Sequence, residues 1–223
     1  MTKKKLIISV VINFLIFVTT TFSIIHSFFA EAVGNMEGYA RWGIFVFFTI
    51  DSNLFCALAS LAVGIFNLIK IIKNDFEKEN KVLDLIKFIS TVAVGLTFIT
   101  VVLFLVFIYG VGVLVGDNFV LHLSSPILAI ISYMFFDSKI TNKIKVVLLG
   151  ILPTIIYGAV YITMTVLIGH DNGGWYDFYM FNMGGMWPIT VIVMLLVTFG
   201  ISFLINFGKI KYIKRINNHE KNS

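Results

Sequence analysis

Residues 42–69 read WGIFVFFTIDSNLFCALASLAVGIFNLI, twenty-eight residues between Arg41 and Lys70 in which Asp51 is the one charged side chain. A helix of about 20 apolar residues crosses a hydrocarbon core of about 30 Å, so this stretch is long enough to span a bilayer. Similar stretches lie on either side of it, at 6–29, 82–109, 119–136, 144–168 and 187–208. The composition agrees, since 58% of the 223 residues are hydrophobic and 13% are charged, where a soluble domain carries about 25% charged residues. Mean hydropathy is +0.95. A soluble globular protein is excluded. The expected fold is all-α: a polytopic membrane protein in which residues 1–223 form a single bundle of six transmembrane helices.

The formal net charge of +5 carries no nucleic-acid signal, because the 17 Lys and Arg sit almost entirely in short loops and at the chain ends. Six spans put both termini on one side. Assigning that side to the cytoplasm places Lys3 to Lys5, five Lys from Lys70 to Lys87, Lys139, Lys143, Lys145 and five basic residues from Lys209 to Lys221 inside, against Arg41 alone outside. The positive-inside rule then predicts cytoplasmic termini and a multi-pass protein of the plasma membrane. Trp42 and Trp187 open the second and sixth spans and Trp175 lies in the loop between the fifth and sixth, all at the outer interface where an amphipathic ring prefers to sit. The inner loop KIIKNDFEKENK (70–81) reads as a charged, solvated turn, and the tail from Lys209 as a basic, frayed end, both anchoring to an anionic leaflet. The first apolar run, of about 24 residues, exceeds the roughly 7–15 of a signal-peptide core, so it is expected to remain a span despite the small-x-small sequence Ala30-Glu31-Ala32. Cys56, the one cysteine, excludes a disulfide framework and a Cys-rich metal site. The 23 Phe, and 15 Lys against 2 Arg, are associated with AT-rich coding and a bacterial source.

Polar groups inside the spans are the informative ones, because an unpaired one in hydrocarbon is costly and therefore faces a cavity or a partner. At about 100° per residue, Thr49, Asn53, Cys56, Ser60 and Asn67 share one face of the second span, with Ser52 to its side. Asp51 lies about 200° from Thr49 and points elsewhere, toward another helix or as a protonated acid. On the fourth span His122, Ser125, Pro126, Ala129 and Tyr133 share a face, and Pro126 frees the carbonyl of His122. Thr49 and His122 are both expected in the outer half of the bundle, Thr49 about seven residues, or roughly 10 Å, inside the second span. Thr and Ser in membrane helices also bond back to their own i−4 carbonyls or join helices, which is the structural reading of the same residues. His26 and His170 form a second, weaker pair near the outer surface. Asp171 and Asp177 beside His170 lack a specific metal-ligand spacing, and Gly-His-Asp-Asn-Gly-Gly (169–174) reads first as a turn.

The run FFTIDSNLFCALASL (47–61) followed by HLSSPILAIISYMFFD (122–137) resembles the paired signatures of the androgen-induced and androgen-dependent six-helix membrane hydrolases and their prokaryotic six-span relatives. PTIIYGAVY (153–161) and the aromatic loop GGWYDFYMF (173–181) are similar to the prokaryotic branch. The resemblance implies a hydrolase of fatty-acyl esters with Thr49 as nucleophile and His122 as its base. The imidazole then takes the Thr49 proton as the hydroxyl attacks the ester carbonyl and gives it to the leaving alkoxide, and water resolves the acyl-enzyme. Asn53 and Ser52 are the nearest candidates for oxyanion donors; Asp51 and Ser125 add pocket polarity, and Tyr133, Tyr157 and Tyr161 are expected to line the pocket. Asp51 departs from the pattern, since a charge there disfavours a fatty acid anion.

Three functions follow as expectations. The first is an intramembrane threonine hydrolase cleaving a lipid or other hydrophobic ester at the outer leaflet, with no cofactor and no metal. The second is a substrate-binding membrane component of a small-molecule transporter, and the third a non-catalytic structural membrane protein. The loop 169–186 is either a lid hinged at its glycines or, as expected here, a segment lying in the interface on Trp175, Tyr176 and Tyr179.

Overall fold

A computed structural model describes residues 2–30, 39–102, 106–137 and 144–222, and no strand occurs among them. Six helices are long and apolar enough to cross a membrane: α1 Lys3–Phe29, α2 Phe48–Ile72, α3 Lys81–Thr100, α4 Asp117–Phe136, α5 Ile144–Ile168 and α6 Trp187–Asn218. The protein is an all-helical, polytopic membrane protein. Lys139 and Lys143 of the charge count lie outside the described residues.

α1 shows why the chain belongs in lipid. Ser9, Asn13, Thr20, Ser23 and Ser27, spaced by three, four or seven residues, are buried, while Ile7, Val11, Leu15, Val18, Phe22, Ile25 and Phe29 are exposed. A water-soluble helix has the opposite pattern. Here lipid satisfies the apolar face and the polar face must find partners inside. α2 repeats the arrangement with Ser52, Asn53, Cys56, Ser60 and Asn67 turned inward, and Gly64 lets α1 approach, since a Cβ there would press on Phe14. α3 is the centre of the bundle. Its apolar window is 61% buried against 22% for α5 and for α6, and it packs on α2, α4, α5 and α6.

Two expectations change. The second span begins at Phe48, because Arg41–Val46 forms a 3-10 turn and Phe47 is extended; Thr49 therefore stands in the first turn of α2, not seven residues inside it. The α-helical part of α3 ends at Thr100, and Val106–Tyr109 is helical, with 103–105 outside the described residues. The tail is not frayed: helix continues from Trp187 to Asn222. α5 breaks at Gly150–Ile151, ahead of Pro153, which has no N–H to continue the ladder. α2 runs to Ile72, past the expected limit at 69, and closes through left-handed Asn74 (φ 52°) with Asp75 N–H on the carbonyl of Lys70 and Asn74 N–H on that of Ile71, a Schellman ending with Asn in place of Gly.

At the Lys-rich end the basic residues are not all anchors. Lys70, Lys87 and Lys209 are buried inside the bundle, which corrects the reading of Lys70 and Lys209 as solvated loop and tail charges. Lys209 Nζ donates to the carbonyls of Tyr133 (2.5 Å) and Asp137 (2.7 Å), at the end of α4. Lys87 Nζ donates to Ser60 Oγ at 2.6 Å. Asp137 accepts from Ser9 Oγ (2.6 Å), Asn13 Nδ2 (3.0 Å) and Ser132 Oγ (2.9 Å), and Asn67 Nδ2 donates to Ser9 Oγ (2.9 Å). A polar network therefore joins α1, α2, α4 and α6 where the sequence reading placed only leaflet contacts.

Candidate functional site

The residues singled out near the Lys-poor end divide between two neighbouring places on α2. The first is the seam with α4. Val120–Ser124 is a π-turn in which the Ser125 N–H reaches the carbonyl of Val120 instead of that of Leu121. Pro126 has no N–H to offer. The Leu121 carbonyl is thus left for another donor, and Asn53 Nδ2 supplies it at 2.8 Å while also donating to the Thr49 carbonyl at 2.8 Å. Asn53 is fully buried. Its amide clamps the first turn of α2 to the residue preceding His122, so Thr49 and His122 belong to adjoining segments.

The side chains make a less complete set. His122 Nδ1 is buried with no hydrogen-bond partner among the described residues, as is Asn53 Oδ1, and no hydrogen bond joins Thr49 to His122 among them. Both Asn53 N–H bonds are spent on carbonyls, so this side chain is not a free oxyanion donor. Ser52 Oγ lies 3.0 Å from Thr97 Oγ1 and 3.2 Å from the Thr49 carbonyl, facing α3. Ser125 Oγ is 2.6 Å from Thr20 Oγ1 and faces α1. Tyr133 stands about three turns further along α4, packed on Phe88 beneath Lys209, and belongs to the Lys-rich network.

The loop 169–186 is folded onto the bundle. Asp177 accepts from Tyr161 Oη (2.9 Å) and from the amides of Phe181 and Asn182 (both 2.8 Å). Tyr161 Oη in turn accepts from the Tyr179 amide at 2.9 Å. Tyr179 Oη accepts the Phe48 amide at 3.1 Å, capping α2 beside Thr49; burial pushes its phenol up to about 12, so it stays neutral. Gly174 is required where the loop turns back, since a Cβ would collide with the carbonyl of Met164. Of the three aromatic residues expected in the interface, Tyr176 is exposed, stacked on His170 at 3.4 Å. His26 pairs with Asp117 at 2.7 Å on the surface.

The second place is a lateral groove of about 460 Å³ between α2, α3, α5 and the loop. Phe48, Phe55, Tyr157 and Trp175 form its walls, and Asp51 and Ser52 supply its polarity. Tyr157 is fixed by donating to the Val46 carbonyl at 2.7 Å. Thr49, His122 and Tyr161 are not among its lining residues. Asp51 has no hydrogen-bond or ion-pair partner among the described residues. Asp51, Ser52 and Tyr157 were legible as pocket residues in the sequence, but Phe48, Phe55 and Trp175 were not, because the wall is assembled from three separate stretches of chain.

Among the described residues no group of three His, Cys, Asp or Glu is placed to hold a metal ion. No protein family, characterised protein or solved structure matches the chain.

Proposed function

We propose that this membrane protein binds a lipid-like amphiphile in the lateral groove at its Lys-poor end. One observation carries the reading: a mostly apolar groove, of a volume that suits a small ligand, opens on the helix face where Ile156 and Val160 are exposed and ends at polar groups on Asp51 and Ser52. An acyl or alkyl chain entering sideways from the bilayer loses no apolar contact, and its head meets the two polar side chains. The test is photolabelling in lipid nanodiscs with a diazirine-bearing alkyl chain, followed by peptide mapping. Label is expected to concentrate on residues 48–55 and 152–160, and to fall there at least three-fold in Ile156→Trp, which fills the groove. Uniform labelling that also covers the exposed stripe of α1 would sink the proposal.

A hydrolase reading rests on a different observation, the buried and unpartnered His122 Nδ1 beside the Asn53 clamp. A base awaiting its hydroxyl is one reason for such a nitrogen, and apo geometry in catalytic pairs is often loose. Under this reading Thr49 attacks an acyl ester and His122 carries the proton. Fluorophosphonate labelling of membranes is then expected for the natural sequence and absent in Thr49→Ala and His122→Ala at matched expression. Absence of labelling in the folded natural protein would remove the hydrolase.

A further inference from the structure

The groove has one chemical property that its shape alone does not explain. Asp51 places a carboxyl against aromatic walls with no Lys, Arg or His paired to it among the described residues. Asp51 sits in the first turn of α2, at the positive end of the helix dipole. A cation that balances the Asp51 carboxylate is not supplied by the described residues. Phe48, Phe55, Tyr157 and Trp175 line the same space, and aromatic faces attract an ammonium.

Resting on the groove as a binding site, we propose that its occupant is a cationic amphiphile: an alkyl chain with an ammonium head that pairs with Asp51 and carries no anionic group beside it. The alternatives fit less well. A fatty acid would bring a second carboxylate to Asp51, and like charges in low dielectric repel strongly. A neutral ester or alcohol would leave the carboxylate uncompensated. A divalent metal would find one carboxylate and one hydroxyl, far short of the six or more oxygens it requires. An alkylammonium satisfies the charge at Asp51, the ring faces and the apolar floor at once, its chain lying toward Leu152, Ile156 and Val160 on the lipid side.

Trp175 lines the groove and reports occupancy directly. The experiment uses the full chain carrying Trp42→Phe and Trp187→Phe, in nanodiscs of phosphatidylcholine, and follows quenching of Trp175 by the bromine of three probes at equal membrane concentration: 11-bromoundecyltrimethylammonium, 11-bromoundecanol and 11-bromoundecanoate. The cation is expected to reach half-quenching at a concentration at least ten-fold below the alcohol, with the carboxylate weakest. Asp51→Asn is expected to abolish that preference and Asp51→Glu to retain it, with folding checked for each by the melting of buried Cys56. Equal quenching by the cation and the alcohol, or an unchanged preference in folded Asp51→Asn, overturns the cation assignment and leaves the groove intact. Failure of all three probes to quench above the level set by bulk bilayer partition overturns the groove itself.

Discussion

Replacing Asp137 with alanine is expected to destabilise the folded protein by about 3–5 kcal/mol, the cost of breaking a buried charged network by removing one member. Asp137 is 7% exposed and accepts from Ser9 and Asn13 of α1 and from Ser132 of α4. Alanine strands the hydroxyls of Ser9 and Ser132, the first of which holds the first helix to the end of the fourth, while Asn13 Nδ2 keeps the Ser9 carbonyl and Ser132 Oγ. Asparagine keeps the shape and one acceptor oxygen, and its amide can donate to the Ser132 hydroxyl, so Asp137→Asn is expected to cost less than half as much. The measurement is thermal unfolding in detergent followed with a thiol-reactive fluorophore. Cys56 is the one cysteine and is 1% exposed, so it reacts when the bundle opens. Equal melting of Asp137→Ala and the natural protein would show that the network holds nothing together.

Lys209→Met is expected to cost about 2–3 kcal/mol by the same assay, since each hydrogen bond from a charged donor contributes about 1.5–3 kcal/mol and the desolvation of the ammonium offsets part of the sum. The reason lies at the end of α4. A helix leaves its last carbonyls without intrahelical donors, and those of Tyr133 and Asp137 are taken by Lys209 Nζ reaching across from α6. A cation at this terminus also faces the negative end of the helix dipole. Methionine keeps the aliphatic stem and strands the carbonyls, so packing loss is small and the cost is electrostatic. Because Lys209 and Asp137 act on the same helix end, the double variant Asp137→Ala, Lys209→Met is expected to fall short of the summed single effects by 1 kcal/mol or more, as coupled neighbours do. Strict additivity would indicate two independent contacts.

Both residues show where reading the chain succeeded and where it did not. The apolar stretches announced six spanning helices, and the expected limits at 136, 144, 168 and 187 coincide with those observed. Apolar length measures what a bilayer requires of each helix separately, so it survives without knowledge of the neighbours. The inward polar face of α2 was also legible, because a stripe of Thr, Asn, Cys and Ser at helical spacing has few uses in lipid. The same periodicity in Ser9, Asn13, Thr20 and Ser23 carried an equal signal for α1. Lysine was deceptive, since its long stem allows the ammonium at a helix end either to reach the headgroups or to turn inward, and the choice made by Lys70, Lys87 and Lys209 depends on what faces them.

The sequence by itself determined a helical membrane protein, the number of its spans and the candidate residues Thr49, Asp51, Asn53 and His122. Tertiary structure decided how they are grouped. The break at Phe47 follows from no glycine or proline there; it is held by Tyr157 taking the Val46 carbonyl and Tyr179 taking the Phe48 amide, groups that a continuous helix would have kept for itself. That break starts α2 at Phe48, the π-turn of α4 releases the Leu121 carbonyl to Asn53, and Asp51 is left facing a groove walled from three parts of the chain. Local periodicity fixes which side chains share a helix face, but the partner that satisfies each backbone and side-chain polar group in a low-dielectric interior is chosen only when the helices meet.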